Sequence, residues 1–185
     1  MVVNTFFEVR LEQLLNLAEI IEKIFSAARL EYRVAGGLAT YFYVEEAVPD
    51  AGRLTKDIDI IVRRVDLGKI AEAAEVFGFR YQPATDMLVR LSDPTVRRAI
   101  HLVFAGEKVR PEYIEPAPEL GEGLRIRGIA LIPLVDLIRM KLTSFRAKDR
   151  AHIIDLDEAG LITPEIEAAL SPTLRERLGE ARARG

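Results

Sequence analysis

At 185 residues, 49% hydrophobic and 30% charged, the chain has the size and balance of one globular domain with room for a helical extension, which excludes a disordered segment. A net charge of −3 excludes a basic nucleic-acid footprint over the whole chain, and the lack of cysteine excludes disulfides and thiolate metal sites, leaving oxygen and imidazole as metal donors. No apolar run reaches the ~18 residues of a membrane span. Met1 to Phe7 carries no early positive charge ahead of an apolar stretch, so the expectation is a cytoplasmic protein without a signal peptide.

From about Glu8 to Leu30, apolar residues at Leu11, Leu14, Leu15, Ala18, Ile21, Ile24 and Phe25 recur at helical spacing. Tyr32 to Ala35 reads as a short strand, broken by Gly36-Gly37, with a helix from Leu38 to Glu46. Pro49, Asp50 and Gly52 mark a loop. Asp57 to Val62 reads as a strand whose alternation puts Asp57 and Asp59 on one face and Ile58 and Ile60 on the other. Asp66 reads as the N-cap of a helix from Leu67 to Phe77, closed by Gly78. Phe79–Gln82, Met87–Leu91, Ala99–Phe104 and Leu124–Leu131 follow as strands. Pro133 opens a helix to about Arg146, and Asp149–Ala159 forms the next, stopped by Gly160. Thr163-Pro164 and Ser171-Pro172 start two more, the last ending in a frayed, arginine-rich tail.

Strands grouped in the middle with helices at both ends predict an α+β fold with a mixed, twisted sheet and helices mostly on one side. Residues 1–132 form the expected core and 133–185 a helical part packed on it in one compact unit.

The chemistry concentrates in two places. Asp57 and Asp59, two apart on a strand, point the same way and are close enough to share a cation. A bare D-x-D is more often a solvated strand end, but acids on an otherwise apolar central strand need a partner, and a bound cation is the natural one. Gly36-Gly37, between strand and helix, lets backbone approach a phosphate at a helix N-terminus. Alone it is a weak signal; followed by the D-x-D strand it is a sharper one.

Val34-Ala-Gly-Gly-Leu-Ala39 followed by Thr55-Lys-Asp-Ile-Asp-Ile60 resembles the signature of the DNA polymerase β-like nucleotidyltransferase superfamily. Arg53 to Ile60 is similar to the pattern of its AbiEii-type branch, which includes toxins of type IV toxin–antitoxin systems, and Leu137 to Arg150 resembles the K-L-x-x-x-R-x-K-D segment of that branch. The resemblance implies a nucleotidyltransferase fold, an NTP substrate and Mg²⁺ or Mn²⁺ as cofactor. It implies that Asp57 and Asp59 hold the metal, and that Gly36, Gly37, Thr55, Lys141 and Arg146 form the nucleotide-binding set. An acceptor hydroxyl would displace pyrophosphate in line, chemistry that needs positioning and charge neutralisation. Acceptors in the superfamily include RNA ends, protein hydroxyls and small molecules; the branch adds tRNA or a protein as acceptor and a cognate antitoxin as partner.

One position departs from the pattern. The family places a third carboxylate on a neighbouring strand, where Ala99 to Phe104 offers His101. A histidine there can act as a base near neutral pH or ligate Mn²⁺ or Zn²⁺ more readily than Mg²⁺; as a lone strand histidine it can also simply pack. His152, one turn after Asp149, reads as an i, i+3 surface pair. Glu107, Lys108 and Arg110 read as a solvated loop, and Arg175, Arg177, Arg182 and Arg184 as the wet face of a terminal helix. Two other functions stand beside the transferase: a non-catalytic nucleotide- or partner-binding module, favoured by the missing acid, and a D-x-D glycosyltransferase, disfavoured by the short chain.

Overall fold

The computed structural model describes residues 2–55, 57–92 and 99–183, with side chains from residue 7 onward. Lys56 and Arg184 lie outside the described residues. Elements follow in the order α1 (Val2–Ala28), β1 (Arg33–Ala35), α2 (Gly36–Ala47), β2 (Ile58–Val62), α3 (Leu67–Val76), β3 (Phe79–Gln82), β4 (Met87–Arg90) and β5 (Ile100–Phe104). They continue with β6 (Leu124–Ile126), β7 (Ile129–Leu131), α4 (Leu134–Ser144), α5 (Ala147–Glu158), α6 (Pro164–Ala168) and α7 (Pro172–Arg182). A single 3₁₀ turn, Arg64–Asp66, leads into α3.

The strands form one seven-stranded mixed sheet in the order β3-β4-β5-β2-β1-β7-β6. β2, the centre, runs antiparallel to β1 and parallel to β5. Its alternation is the one the sequence predicts. Ile58, Ile60 and Val62 are fully buried with Ile100, Leu102 and Phe104 of β5 beside them, and Asp59 shares the opposite face with His101. Farther along that second face Ile61 is also buried, so both faces are covered there. The helices accordingly divide into two groups rather than one layer: α1 touches α3 and β7, while α2, α4, α5 and α7 pack together. One apolar core links them, from Ile21 and Phe25 through Leu38 and Phe42 to Leu142, Leu156 and Leu174.

Several boundaries differ from expectation for local reasons. Leu124–Leu131 is a hairpin, because Arg127 and Gly128 both take positive φ (51° and 80°), the conformation of a tight two-residue turn. α2 begins on Gly36 itself, and every residue from Gly37 to Val44 is buried, so this stretch of the helix is central and carries no wet stripe. Asp66 precedes α3 without making a side-chain cap, since the 3₁₀ turn already brings the chain into the helix. α4 stops at Ser144, two residues early, because Phe145 turns left-handed at φ 49°. Thr163 caps α6 by accepting from the Ile166 amide at 3.4 Å. The terminal helix is less wet than its charges imply. Arg177 donates to the Leu142 and Thr143 carbonyls at 2.7 Å each, satisfying the end of α4, and Arg182 clamps Asp157 and Glu167.

Candidate functional site

Register brings the predicted residues together. Ala35 on β1 faces Asp59 on β2, and Asp59 faces His101 on β5. Since β1 runs straight into Gly36, the turn lands beside the Asp59 carboxylate. Gly36 adopts φ +63°, and a Cβ built on it would stand only 1.9 Å from Asp59 Oδ2. The position therefore requires glycine twice over, for its left-handed backbone and for the space the carboxylate occupies. Asp57 lies immediately before β2, and burial alternates from Asp57 to Ile60 between half-buried and buried, as it must if the two acids share a side.

His101 stands across from Asp59 at 3.8 Å between Nδ1 and Oδ1, beyond hydrogen-bond range. Both side chains are about one-third exposed, and the far nitrogen of His101, Nε2, is buried without a hydrogen-bond partner among the described residues. The strand position expected to carry a third carboxylate thus carries an imidazole that faces the second aspartate.

Gly37 and Thr55 are packed against each other rather than opened to the cleft. A Cβ on Gly37 would meet Thr55 Oγ1 at 2.6 Å, and the Thr55 hydroxyl donates to the Asp57 carbonyl at 3.3 Å. Thr55 holds the approach to β2 against the start of α2.

The second wall comes from α4 and α5, and its organiser is Asp149, whose spacing to His152 suggested only a surface pair. Asp149 is buried in the first turn of α5. It accepts from Lys141 Nζ at 3.3 Å, Ser144 Oγ at 2.7 Å, Arg146 Nε at 2.7 Å and the Arg146 amide at 3.3 Å. Burial alone would raise its pKa, but the Arg146 hydrogen bond, the Lys141 charge and the Ser144 hydrogen bond outweigh it and hold the carboxyl at about 2. Burial draws Lys141 below the usual lysine range, opposed by Asp149 and Asp59. Lys141 therefore lies within electrostatic reach of the strand acid and is fixed by the helix acid. Arg146 remains more than half exposed. The signal for Asp149 was present in the sequence as the last acid of the K-L-x-x-x-R-x-K-D segment.

These walls enclose a cleft of about 390 Å³ whose lining includes Gly36, Asp59, His101, Lys141, Arg146 and Asp149. Val103, Val109, Arg110, Tyr113 and Pro116 line it as well. The segment after β5 is therefore a wall of the cleft and not merely a solvated loop. Asp57, Gly37 and Thr55 do not line this cleft. His152 is not a surface partner of Asp149: it is half-buried, with Cε1 3.4 Å from where a Gly37 Cβ would stand. Burial and the neighbouring Lys141 push its pKa down to about 4, so it is uncharged at neutral pH.

No protein-family model and no curated protein matches the chain. Solved structures do, two of ANT(2")-Ia among them. The crystal structure of ANT(2")-Ia in complex with adenylyl-2"-tobramycin aligns with a TM-score of 0.52 and 15% identity, covering 90% of this chain and 97% of that one. The solution structure of the antibiotic-resistance factor ANT(2'')-Ia aligns with a TM-score of 0.44 and 15% identity, over 91% and 84% of the two chains. The end-to-end coverage of the crystal structure, together with the mixed sheet and its flanking helices, gives this chain the nucleotidyltransferase fold.

Proposed function

We propose that the protein transfers a nucleoside monophosphate from an NTP to the hydroxyl of a small molecule. The observation that carries this reading is the contact of Asp59 with the Gly36 turn at the head of α2, with Lys141 behind it. A triphosphate there meets free helix amides, a fixed cation and a carboxylate that can share its metal. The cleft volume of about 390 Å³ suits a small ligand. The solved neighbour, whose crystals hold an adenylylated aminoglycoside, supports a small-molecule acceptor over a macromolecule.

The residues present fit a magnesium ion. Among the described residues no three His, Asp or Glu side chains form a ready-made cage. Magnesium, however, is ordinarily held by one or two carboxylates together with substrate phosphates, and the Asp59 carboxylate is partly exposed and makes no short hydrogen bond among the described residues. Asp57 and Asp59 would hold the ion, which when bound supplies charge neutralisation at the reacting phosphate. Gly36 and the α2 amides would position the phosphates, Lys141 and Arg146 would offset their charge, and His101 would take the acceptor proton as a base.

A non-catalytic nucleotide-binding module is the second reading, favoured by His101 in place of an acid. One assay separates them. Protein is incubated with α-³²P-labelled NTPs, Mg²⁺ or Mn²⁺ and pools of aminoglycosides, tRNA or cell protein, beside Asp57→Ala and Asp59→Ala controls. Label transferred by wild type and lost in both variants supports the transferase, and the labelled product names the acceptor. A tRNA or protein product would instead support the toxin-like role suggested by the AbiEii-type motifs. Nucleotide binding without transfer, with activity gained in His101→Asp, supports the module. Equal label in wild type and variants rejects the transferase.

A further inference from the structure

Between β5 and β6 the chain walls the cleft with a segment, residues 105–123, that forms no helix or strand. Its first part turns back on itself. The Gly106 amide donates to the Ala117 carbonyl at 3.0 Å, and the Ala117 amide donates to the Glu107 carbonyl at 2.8 Å. Residues 107–117 are therefore a compact loop whose ends meet at a neck. Arg64 fixes the neck: its guanidinium lies 3.6 Å from the centre of the Phe104 ring and pairs with both Glu107 oxygens.

Beyond the neck, no residue from 107 to 116 is buried, and Val109 and Ile114 leave much of their apolar surface to solvent. The loop has no core of its own, so polar contacts decide where it stands. Among the described residues, its hydrogen bonds to α4 and α7 come from Glu115. Glu115 Oε2 accepts from Arg139 Nε of α4 at 3.0 Å, and Oε1 accepts from Ser171 Oγ at 2.8 Å. Ser171 stands at the N-cap of α7, where a serine ordinarily accepts from an amide of the first turn. It makes no such bond, and its hydroxyl goes to Glu115 instead. Glu115 also lines the cleft, but both its oxygens are already engaged by the protein. It therefore acts on a ligand through the loop and not by direct contact.

We infer that Glu115 is a positioning residue: by latching residues 107–117 to α4 and α7 it holds the loop, with Val109 and Tyr113, as a lid on the cleft, and release of the latch lets substrates pass. That the passing substrate is a nucleotide rests on the nucleotidyl-transfer reading above; the latch does not. Glu115 sets the rates of entry and exit more than the affinity, because it ties down the same closed loop in the free and the loaded protein.

The chain has no cysteine, so Glu112→Cys on the loop and Glu176→Cys on α7 place two spin labels cleanly. Electron–electron distances are measured on the free protein in this background, alone and with Glu115→Gln or Ser171→Ala. Ser171→Ala removes one arm of the latch and leaves α7 capped as before, so it decides if Glu115→Gln does not fold. The expected result is a second, longer distance, its ratio to the closed one raised about tenfold in Glu115→Gln and severalfold in Ser171→Ala. Stopped-flow binding of N-methylanthraniloyl ATP with Mg²⁺ should show association and dissociation both faster in these variants, with little change in Kd. An unchanged distance distribution in the variants overturns the latch. A weaker Kd with association unchanged makes Glu115 a contact of the bound state and also overturns it. Wild type that binds no nucleotide while the longer distance still appears in the variants sinks the nucleotidyl-transfer reading and leaves the lid supported.

Discussion

Replacing Asp149 with asparagine should lower the stability of the protein by about 3 kcal/mol at pH 7. The carboxyl is fully buried and its pKa is held at about 2 against an ordinary 3.8. That difference is worth about 2.4 kcal/mol of preference for the ionised native state. Asparagine keeps the shape but leaves the buried Lys141 ammonium without its counter-charge, a change that typically costs about 3–5 kcal/mol before relaxation. The pH dependence gives a second handle. A carboxyl with a depressed folded pKa stabilises fully above pH 3.8, and the contribution fades as pH falls toward 2. Urea unfolding of wild type and Asp149→Asn at pH 7 and again near pH 2.5 measures both. The gap should be about 3 kcal/mol at pH 7 and clearly smaller in acid. A gap below about 1 kcal/mol at pH 7, or one that does not shrink in acid, would refute the view of Asp149 as the ionised organiser of α4 and α5.

Three other outcomes follow. His152 has a folded pKa of about 4 against 6.5 unfolded, so the unfolded chain takes up the proton first. Stability should be complete above pH 6.5 and fall by about 2 kcal/mol on acidification to pH 4, after discounting for its partial exposure; in His152→Gln the midpoint of urea unfolding should lose this part of its slope with pH. Gly36→Ala should cost about 1 kcal/mol or more from its left-handed backbone and displace the Asp59 carboxylate. Calorimetry should therefore show loss of metal–ATP binding, while the circular dichroism spectrum stays native. Arg177→Ala strands two carbonyls at the end of α4 and should lower stability by about 1–2 kcal/mol in chemical denaturation.

Much of the site was legible because it depends on local geometry. Two-residue periodicity places Asp59 opposite Ile58 and Ile60 of β2 wherever that strand pairs, and Gly36 announces a backbone that only glycine adopts easily. His101 was legible as a departure from a pattern. Asp149 was harder, because an acid between two basic residues in the first turn of a charge-rich helix reads as a solvated charge until burial is known. The Leu124–Leu131 hairpin was hidden by Arg127, which takes a left-handed turn that its residue type rarely signals.

From the sequence alone came the α+β class, the helix–strand order, the glycine turn and the acids of β2, since each rests on spacing along a few neighbouring residues. Tertiary structure decided which partners those residues meet. Strand register set His101 against Asp59, and helix packing buried Lys141 on Asp149 and brought His152 to Gly37. These pairings join segments far apart in the chain. They follow from how the two helix groups close on the sheet, which no local pattern of side chains records.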